Sequence, residues 1–298
     1  MFGIVADVMI DDDRFLGCIL AGAVGDAPMQ HAYQRWFYTQ GLEQSWADAG
    51  GVFATRPEPD GWLVTNRELF SPRSPGKTVI SALRGFAGGK QRGSFSNRLN
   101  NSKGCGAVMR AAPMALLGDD AFAFAIGAGL LTHGNPSGFL AAGALAHMVR
   151  LLLADASLPD AVAATRAKLL DWEDSAEQVT ALDEAVELAK VGPTPETIES
   201  RLGGGWRGEE ALAIAVCTAL VAEDMRHGLL LAVNHTGDSD STGAICGNLL
   251  GAMWGTAAIP AEWLAELELR DMIEQVTRDA LAEFSDTPPE WGDRYPAW

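Results

Sequence analysis

Four glycines recur at every fourth residue in GAICGNLLGAMWG, at positions 243, 247, 251 and 255, and no other feature limits so sharply what the chain can fold into. A glycine inside a helix costs roughly 1 kcal/mol relative to alanine, so a ridge of them on one face predicts a partner helix packed close against it. Apolar residues fill most of the remaining positions, leaving little polar face, and the helix is expected to be deeply buried. Directly before it stands NHTGDSDST, residues 234–242. Asp238 and Asp240, followed at once by Ser241, gather several oxygen donors on one short loop, which suits a hard cation such as Mg²⁺. The same residues also read as helix-start chemistry, with Asp240 or Ser241 capping and Asp238 complementing the dipole. The stretch alone leaves both readings open.

A second ridge of small residues, Gly17, Ala21 and Gly25, lies in RFLGCILAGAVGD (14–26), behind an acidic triplet, Asp11 to Asp13, that suits a helix N-terminus. Packed antiparallel, the two ridges would bring Asp26, at the end of the first helix, toward Asp238 and Asp240 at the start of the second. Beside Pro28, Asp26 reads equally as a solvated turn residue.

Between the ridges the periodicity is helical. Residues 31–41 form a short amphipathic pattern stopped by Gly41, residues 48–75 are Gly- and Pro-rich loop, and Thr78 to Gly85 is a helix start. The triplet Gly76-Lys77-Thr78 is not a phosphate loop, because position 71 is Ser where the pattern needs Gly. In NSKGCGAVMRAAP (101–113) a Gly-rich approach to a helix offers backbone N–H groups to an anion such as a pyrophosphate, and Arg110 could add a charge-assisted contact. A tight turn whose Arg110 pairs internally fits the same residues. Asp119 and Asp120 suit the cap of a helix over 121–131, and THGNP (132–136) breaks that helix and opens a long one to about Leu153. His133, at the break, is either structural or exposed enough to meet a ligand.

Helical spacing continues over 158–170, 174–190, 194–201 and 208–223, with a turn at 203–206. The tail from 260 adds one or two helices before an aromatic, Pro-rich C-terminus expected to wrap the surface. No alternating strand pattern of convincing length occurs. The expectation is an all-α chain, one domain over 1–298, with no linker long enough to divide it.

Charge narrows the function classes. With 22 Lys+Arg against 39 Asp+Glu the net charge is −17, which argues against a polyanion or an anionic membrane as partner. Cys18, Cys105, Cys217 and Cys246 share no metal-ligand spacing and read as buried reduced thiols of a cytoplasmic protein. Met1 to Ile10 lacks a basic n-region and is a poor signal peptide. No run reaches about 18 apolar residues, so no membrane span is expected.

GCILAGAVGDA (17–27), NSKGCGAVMRAAP, LTHGNPSG (131–138) and GDSDSTGAICGNLLGAMWG (237–255) match in kind and order the motifs of the ADP-ribosylglycohydrolases, relatives of the dinitrogenase reductase-activating glycohydrolase. GWRGEEALAIAV (205–216) also resembles a helix of that family. The resemblance implies an orthogonally packed helical fold with a two-Mg²⁺ site that removes ADP-ribose from an acceptor, either an ADP-ribosylated protein or a small molecule. Nucleic acid is not expected except as an ADP-ribosylated substrate. By that resemblance Asp238, Asp240 and Ser241 are metal ligands, Asp26 and Asp240 belong to the catalytic set, Ser102, Gly104, Gly106 and Met109 contact the ADP-ribose, beside Arg110 as the charged contact read from the stretch itself, and His133 lies near the substrate nucleoside.

One departure stands out. Family members carry a Ser/Thr-Asp-Asp-Thr element some tens of residues after the first GDA, whereas here Gly25-Asp26-Ala27 is followed within four residues by His31-Ala32-Tyr33. Two divalent ions need about six oxygen ligands each, so a single weakly held Mg²⁺, or none, is the expectation for this chain. Two functions follow: a glycohydrolase of impaired activity that cleaves the glycosidic bond between ADP-ribose and its acceptor, or a catalytically inactive module that binds ADP-ribose or a nucleotide.

Overall fold

Side chains that can cap backbone N–H groups, and prolines that cannot extend a helix backward, set where most helices of this chain begin. The computed structural model describes residues 30–40 and 60–295. Its helices are α1 (Gln30–Thr39), α2 (Trp62–Thr65), α3 (Lys77–Ala87), α4 (Ala121–Leu130), α5 (Pro136–Leu153), α6 (Leu158–Leu170) and α7 (Ala176–Val191). They continue as α8 (Pro195–Leu202), α9 (Gly208–Leu220), α10 (Met225–Val233), α11 (Ser239–Trp254), α12 (Ala261–Ala265) and α13 (Arg270–Glu283). Two 3₁₀ segments, Cys105–Arg110 and Ala112–Asp120, precede α4.

Asn135 caps α5 by accepting from Ser137 N at 3.0 Å, and Pro136 sits in the first turn, where its missing N–H costs nothing. Ser157 does the same for α6, Thr194 and Thr197 form a capping box on α8, and Asp224 accepts from His227 N at 2.7 Å to start α10. Asp120 stands before α4 but makes no side-chain cap bond.

The protein is all-α, and no strand occurs among the described residues. An isolated antiparallel bridge joins Gly104 to Arg207. Helices α5, α9 and α11 form the centre: their Leu140, Leu145, Ile214, Val216, Ile245 and Leu249 are fully shielded from solvent. The sequence reading of 48–75 as loop misses α2 and the 3₁₀ turn Arg67–Leu69. At four and three residues these are too short for periodicity to register. The C-terminal tail returns to this region, with Arg294 O accepting from Trp62 N at 2.9 Å and Arg294 paired to Asp279.

Two stretches, Ala112–Leu130 and Pro136–Leu153, are long and apolar enough on average to cross a membrane, though Asp119 and Asp120 interrupt the first and His147 and Arg150 the second. The first is broken at Gly118, whose φ is 62°, and 83% of the second lies buried inside the protein as its core helix.

The glycine ridge behaves as expected on one face. A Cβ at Gly243 would meet Val233 Cγ1 of α10 at 2.7 Å. Gly247 and Gly251 are buried. Gly255 belongs to a different job: at φ 71° it ends α11 in a conformation that side chains resist. The partner ridge over 14–26, and with it Asp26, lies outside the described residues.

Candidate functional site

The Gly-rich stretch 100–110 is held from both sides. Asn100 Oδ1 accepts from Ser102 N at 3.0 Å and from Gly134 N at 3.1 Å, while its amide donates to Thr132 O at 2.8 Å. One side chain thus ties the stretch to the THGNP break. Ser102 Oγ accepts from Gly104 N at 3.2 Å and pairs with Thr78 Oγ1 at 2.9 Å. On the other flank Cys105 N donates to Trp206 O, and Gly208 N donates to Lys103 O at 2.7 Å. The helix predicted after the Gly-rich approach is 3₁₀ rather than α.

His133 lies against the glycines. A Cβ at Gly104 or Gly106 would come within 3.4 and 3.3 Å of its ring, so the imidazole fills the space that side chains there would take. The ring is 1% exposed, and its Nδ1 pairs with Thr132 Oγ1 at 2.8 Å. Burial first, and the Arg110 charge second, push its pKa down to about 3. Of the two readings open for His133, exposure is not the one realised: the ring shapes the stretch from beneath.

Arg110 is likewise turned inward. Its guanidinium donates to Tyr33 Oη, Gly106 O, Ala128 O and Thr132 Oγ1, and stacks over the Tyr33 ring at 4.7 Å. Every donor nitrogen is committed to an internal acceptor, so Arg110 holds the stretch's shape.

The Asp loop meets the Gly-rich stretch from the opposite side. α11 begins at Ser239, so Asp240 and Ser241 lie inside its first turn, and Asp238, at the N-cap position, makes no side-chain cap bond. Its Oδ2 instead accepts from Ser241 Oγ at 2.8 Å and Cys105 Sγ at 2.9 Å. Ser241 Oγ also touches Met109 Sδ at 3.2 Å. Burial, foremost, raises the Asp238 pKa, the two donors lower it, and the neighbouring Asp240 raises it again. Cys105 is pushed up to about 12 by burial and by the Asp238 carboxylate, which keeps it a thiol donor. His235 fixes the loop, accepting from Gly237 N at 3.0 Å through Nδ1 and pairing with Thr242 Oγ1 at 3.0 Å through Nε2.

Between the two halves runs the turn Gly203-Gly204-Gly205-Trp206-Arg207. Asp238 N donates to Gly204 O at 2.7 Å, and a Cβ on Gly237 would sit 1.9 Å from that oxygen. The Trp206 ring lies over Gly204, within 2.9 Å of where a Cβ there would be, and the residue is 62% exposed. Sequence reasoning reads this segment as a turn and misses the aromatic; the available signal is a Trp following three glycines, where no helix or core face claims it. It also misses Cys105, because the thiol's partner is 133 residues away.

Hard donors suit a hard cation, and Asp238, Asp240 and Ser241 fit Mg²⁺ in kind. Among the described residues no group of three or more His, Cys, Asp or Glu side chains is placed to hold an ion.

Comparison with known proteins shows the family and the fold. The ADP-ribosylglycohydrolase family model matches residues 28–290. An uncharacterized protein of Archaeoglobus fulgidus is 26% identical over 224 residues, covering 72% of this chain and 67% of its own length. The ADP-ribosyl-[dinitrogen reductase] glycohydrolase of Rhodospirillum rubrum is 40% identical over a 50-residue stretch, 17% of each chain. A solved structure titled ADP-ribosylglycohydrolase-related protein complex superposes with a TM-score of 0.54 at 26% identity, covering 92% of this chain and 98% of that one. With a Gly-rich stretch and an Asp-x-Asp-Ser loop joined across a helical core, the chain belongs to the ADP-ribosylglycohydrolase family.

Proposed function

We propose that this chain, acting as one domain, binds an ADP-ribosyl group along residues 102–109 and hydrolyses its glycosidic bond to an acceptor. The observation that carries the reading is the 2.9 Å contact of Cys105 Sγ with Asp238 Oδ2, which sets the Gly-rich stretch beside the acidic loop. Ser102, Gly104, Gly106 and Met109 contact the ADP-ribosyl group in this reading, with His133 packed against the two glycines. The exposed Trp206 ring supplies an apolar face on which a nucleobase stacks.

Asp238, Asp240 and Ser241 would hold a Mg²⁺, and a bound ion would polarise ribose hydroxyls and activate water. The chain's own part is to orient. Asp238, held by Ser241 and Cys105, keeps its carboxylate beside the Gly-rich stretch, and the adjacent Asp240 adds a second acid there. Asp26 belongs to this catalytic set by family resemblance. Substrates are ADP-ribosylated proteins or small molecules.

A binding module without turnover is the second reading, favoured by the engagement of Asp238 Oδ2 with two protein donors. Release of free ADP-ribose from a panel of mono-ADP-ribosylated substrates, measured with and without Mg²⁺, separates the two. Mg²⁺-dependent release supports hydrolysis; tight ADP-ribose binding without release supports the module.

A further inference from the structure

A diphosphate brings negative charge to a chain whose net charge is −17, so backbone N–H groups need a nearby cation to hold it. Three cations lie in the Gly-rich stretch or are bridged to it. Arg110 is spent on internal acceptors. Lys103 Nζ is bound to both oxygens of Glu177 at 2.6 Å, and Glu177 is further held by Ser137. Arg207 differs from both. Its backbone pairs with Gly104, so its position is fixed at the edge of the stretch, while its side chain is 57% exposed.

The Arg207 guanidinium has no hydrogen bond among the described residues. Its carboxylate neighbours, Glu209 Oε1 at 3.9 Å and Glu210 Oε1 at 3.8 Å, lie beyond hydrogen-bond range. Neither acid grips it in the forked geometry that makes Arg–carboxylate pairs strong. Trp206, next in the chain, presents its exposed ring from the same turn.

Resting on the ADP-ribosyl reading above, we propose that Arg207 is the specificity-determining cation of the site: it leaves its long-range contacts with Glu209 and Glu210 to bond the diphosphate, and so selects dinucleotide-like ligands over uncharged nucleosides. A phosphate oxygen pair offers the fork that the two glutamates do not. Because the Gly104 bridge is made by main-chain atoms, changing the side chain leaves the stretch in place.

The test is calorimetric titration of the full chain with ADP-ribose, for wild type, Arg207→Ala and Arg207→Lys, over a series of salt concentrations. Arg207→Ala is expected to weaken binding about tenfold or more, the scale of a lost charged hydrogen bond, and to flatten the salt dependence. Arg207→Lys should restore the salt dependence and part of the affinity, with the unfolding temperature unchanged in both. Wild-type binding with an unaffected Arg207→Ala overturns the role of Arg207 and leaves the ADP-ribosyl reading standing. Equal losses in Ala and Lys with no change in salt dependence also overturn it. A wild type that binds no ADP-ribose overturns both.

Discussion

Cys105 and Asp238 are 133 residues apart in sequence and 2.9 Å apart in space, the thiol donating to the carboxylate. This bond is the closest link between the Gly-rich stretch and the acidic loop. Cys105→Ala removes a donor from a half-buried carboxylate, and hydrogen bonds to charged groups are worth about 1.5–3 kcal/mol. Cys105→Ser keeps a donor. Urea unfolding should rank wild type and Ser close together with Ala lower by roughly 1–3 kcal/mol; equal stability of Ala and wild type would show that Ser241 alone suffices to hold Asp238.

Gly237 and Gly127 form a matched pair for testing the loop. At Gly237 a Cβ would strike the Gly204 carbonyl at 1.9 Å, and backbone cannot swing aside as a side chain can. Gly237→Ala is expected to cost about 1–3 kcal/mol, the scale of overpacking, and to weaken ADP-ribose binding. Gly127, inside α4, has nothing within 4 Å of its Cβ position. Gly127→Ala should stabilise by roughly 0.5–1 kcal/mol through helix propensity. Thermal unfolding of the two variants checks both signs; a Gly237→Ala as stable as wild type would mean that the turn at 203–205 shifts freely.

How far the sequence speaks depends on the reach of each interaction. The start of α5 is legible because Asn135 and Pro136 act on their own neighbours, and the starts of α6 and α8 because Ser157, Thr194 and their partners lie within three residues. The order of the Gly-rich stretch, the THGNP break and the Asp loop is legible because each is a contiguous motif. Trp206 is not, since the Gly204 its ring lies over belongs to a turn that meets Gly237 from 33 residues away. For Arg110 the sequence offers internal pairing beside a ligand contact, and Tyr33 and Thr132, from 77 and 22 residues away, realise the internal pairing. Periodicity reports which face of a helix is apolar; it carries no information on which distant polar group completes a buried one.

His133 makes stability pH-dependent in a stated direction. Its folded pKa is lowered to about 3, chiefly by burial, whereas the unfolded imidazole protonates near about 6.5. Below that value the unfolded state takes up a proton that the folded state refuses. Stability from this group is therefore complete above about pH 6.5 and falls as the pH drops toward 3, by up to about 1.4 kcal/mol per pH unit. His147, lowered to about 4 by burial and then by Lys168, adds in the same sense. Urea midpoints near about pH 7 and about pH 5 should differ less in His133→Gln than in wild type. An unchanged difference would place the pH dependence elsewhere, with His147 next to test.

The last prediction concerns Asp240 and the cation. Asp240 is exposed and close enough to Asp238 to raise its pKa, so in the absence of metal the two acids repel. Removing Asp240 takes away that repulsion together with a first-turn acid that complements the α11 dipole, two small effects of opposite sign, and the metal-free stability of Asp240→Ala should stay within about 0.5 kcal/mol of wild type. A bound Mg²⁺ reverses the balance, because each carboxylate then contributes a ligand and a charge that offsets dehydration of the ion. Calorimetry with Mg²⁺ should therefore show one weakly bound ion in wild type and none in Asp240→Ala. Binding that persists undiminished in Asp240→Ala would remove this residue from the ligand set. Tight binding of two ions, lost in Asp240→Ala, would instead mean that residues outside 30–40 and 60–295 complete a full metal site, and the hydrolytic reading would then stand over the binding module.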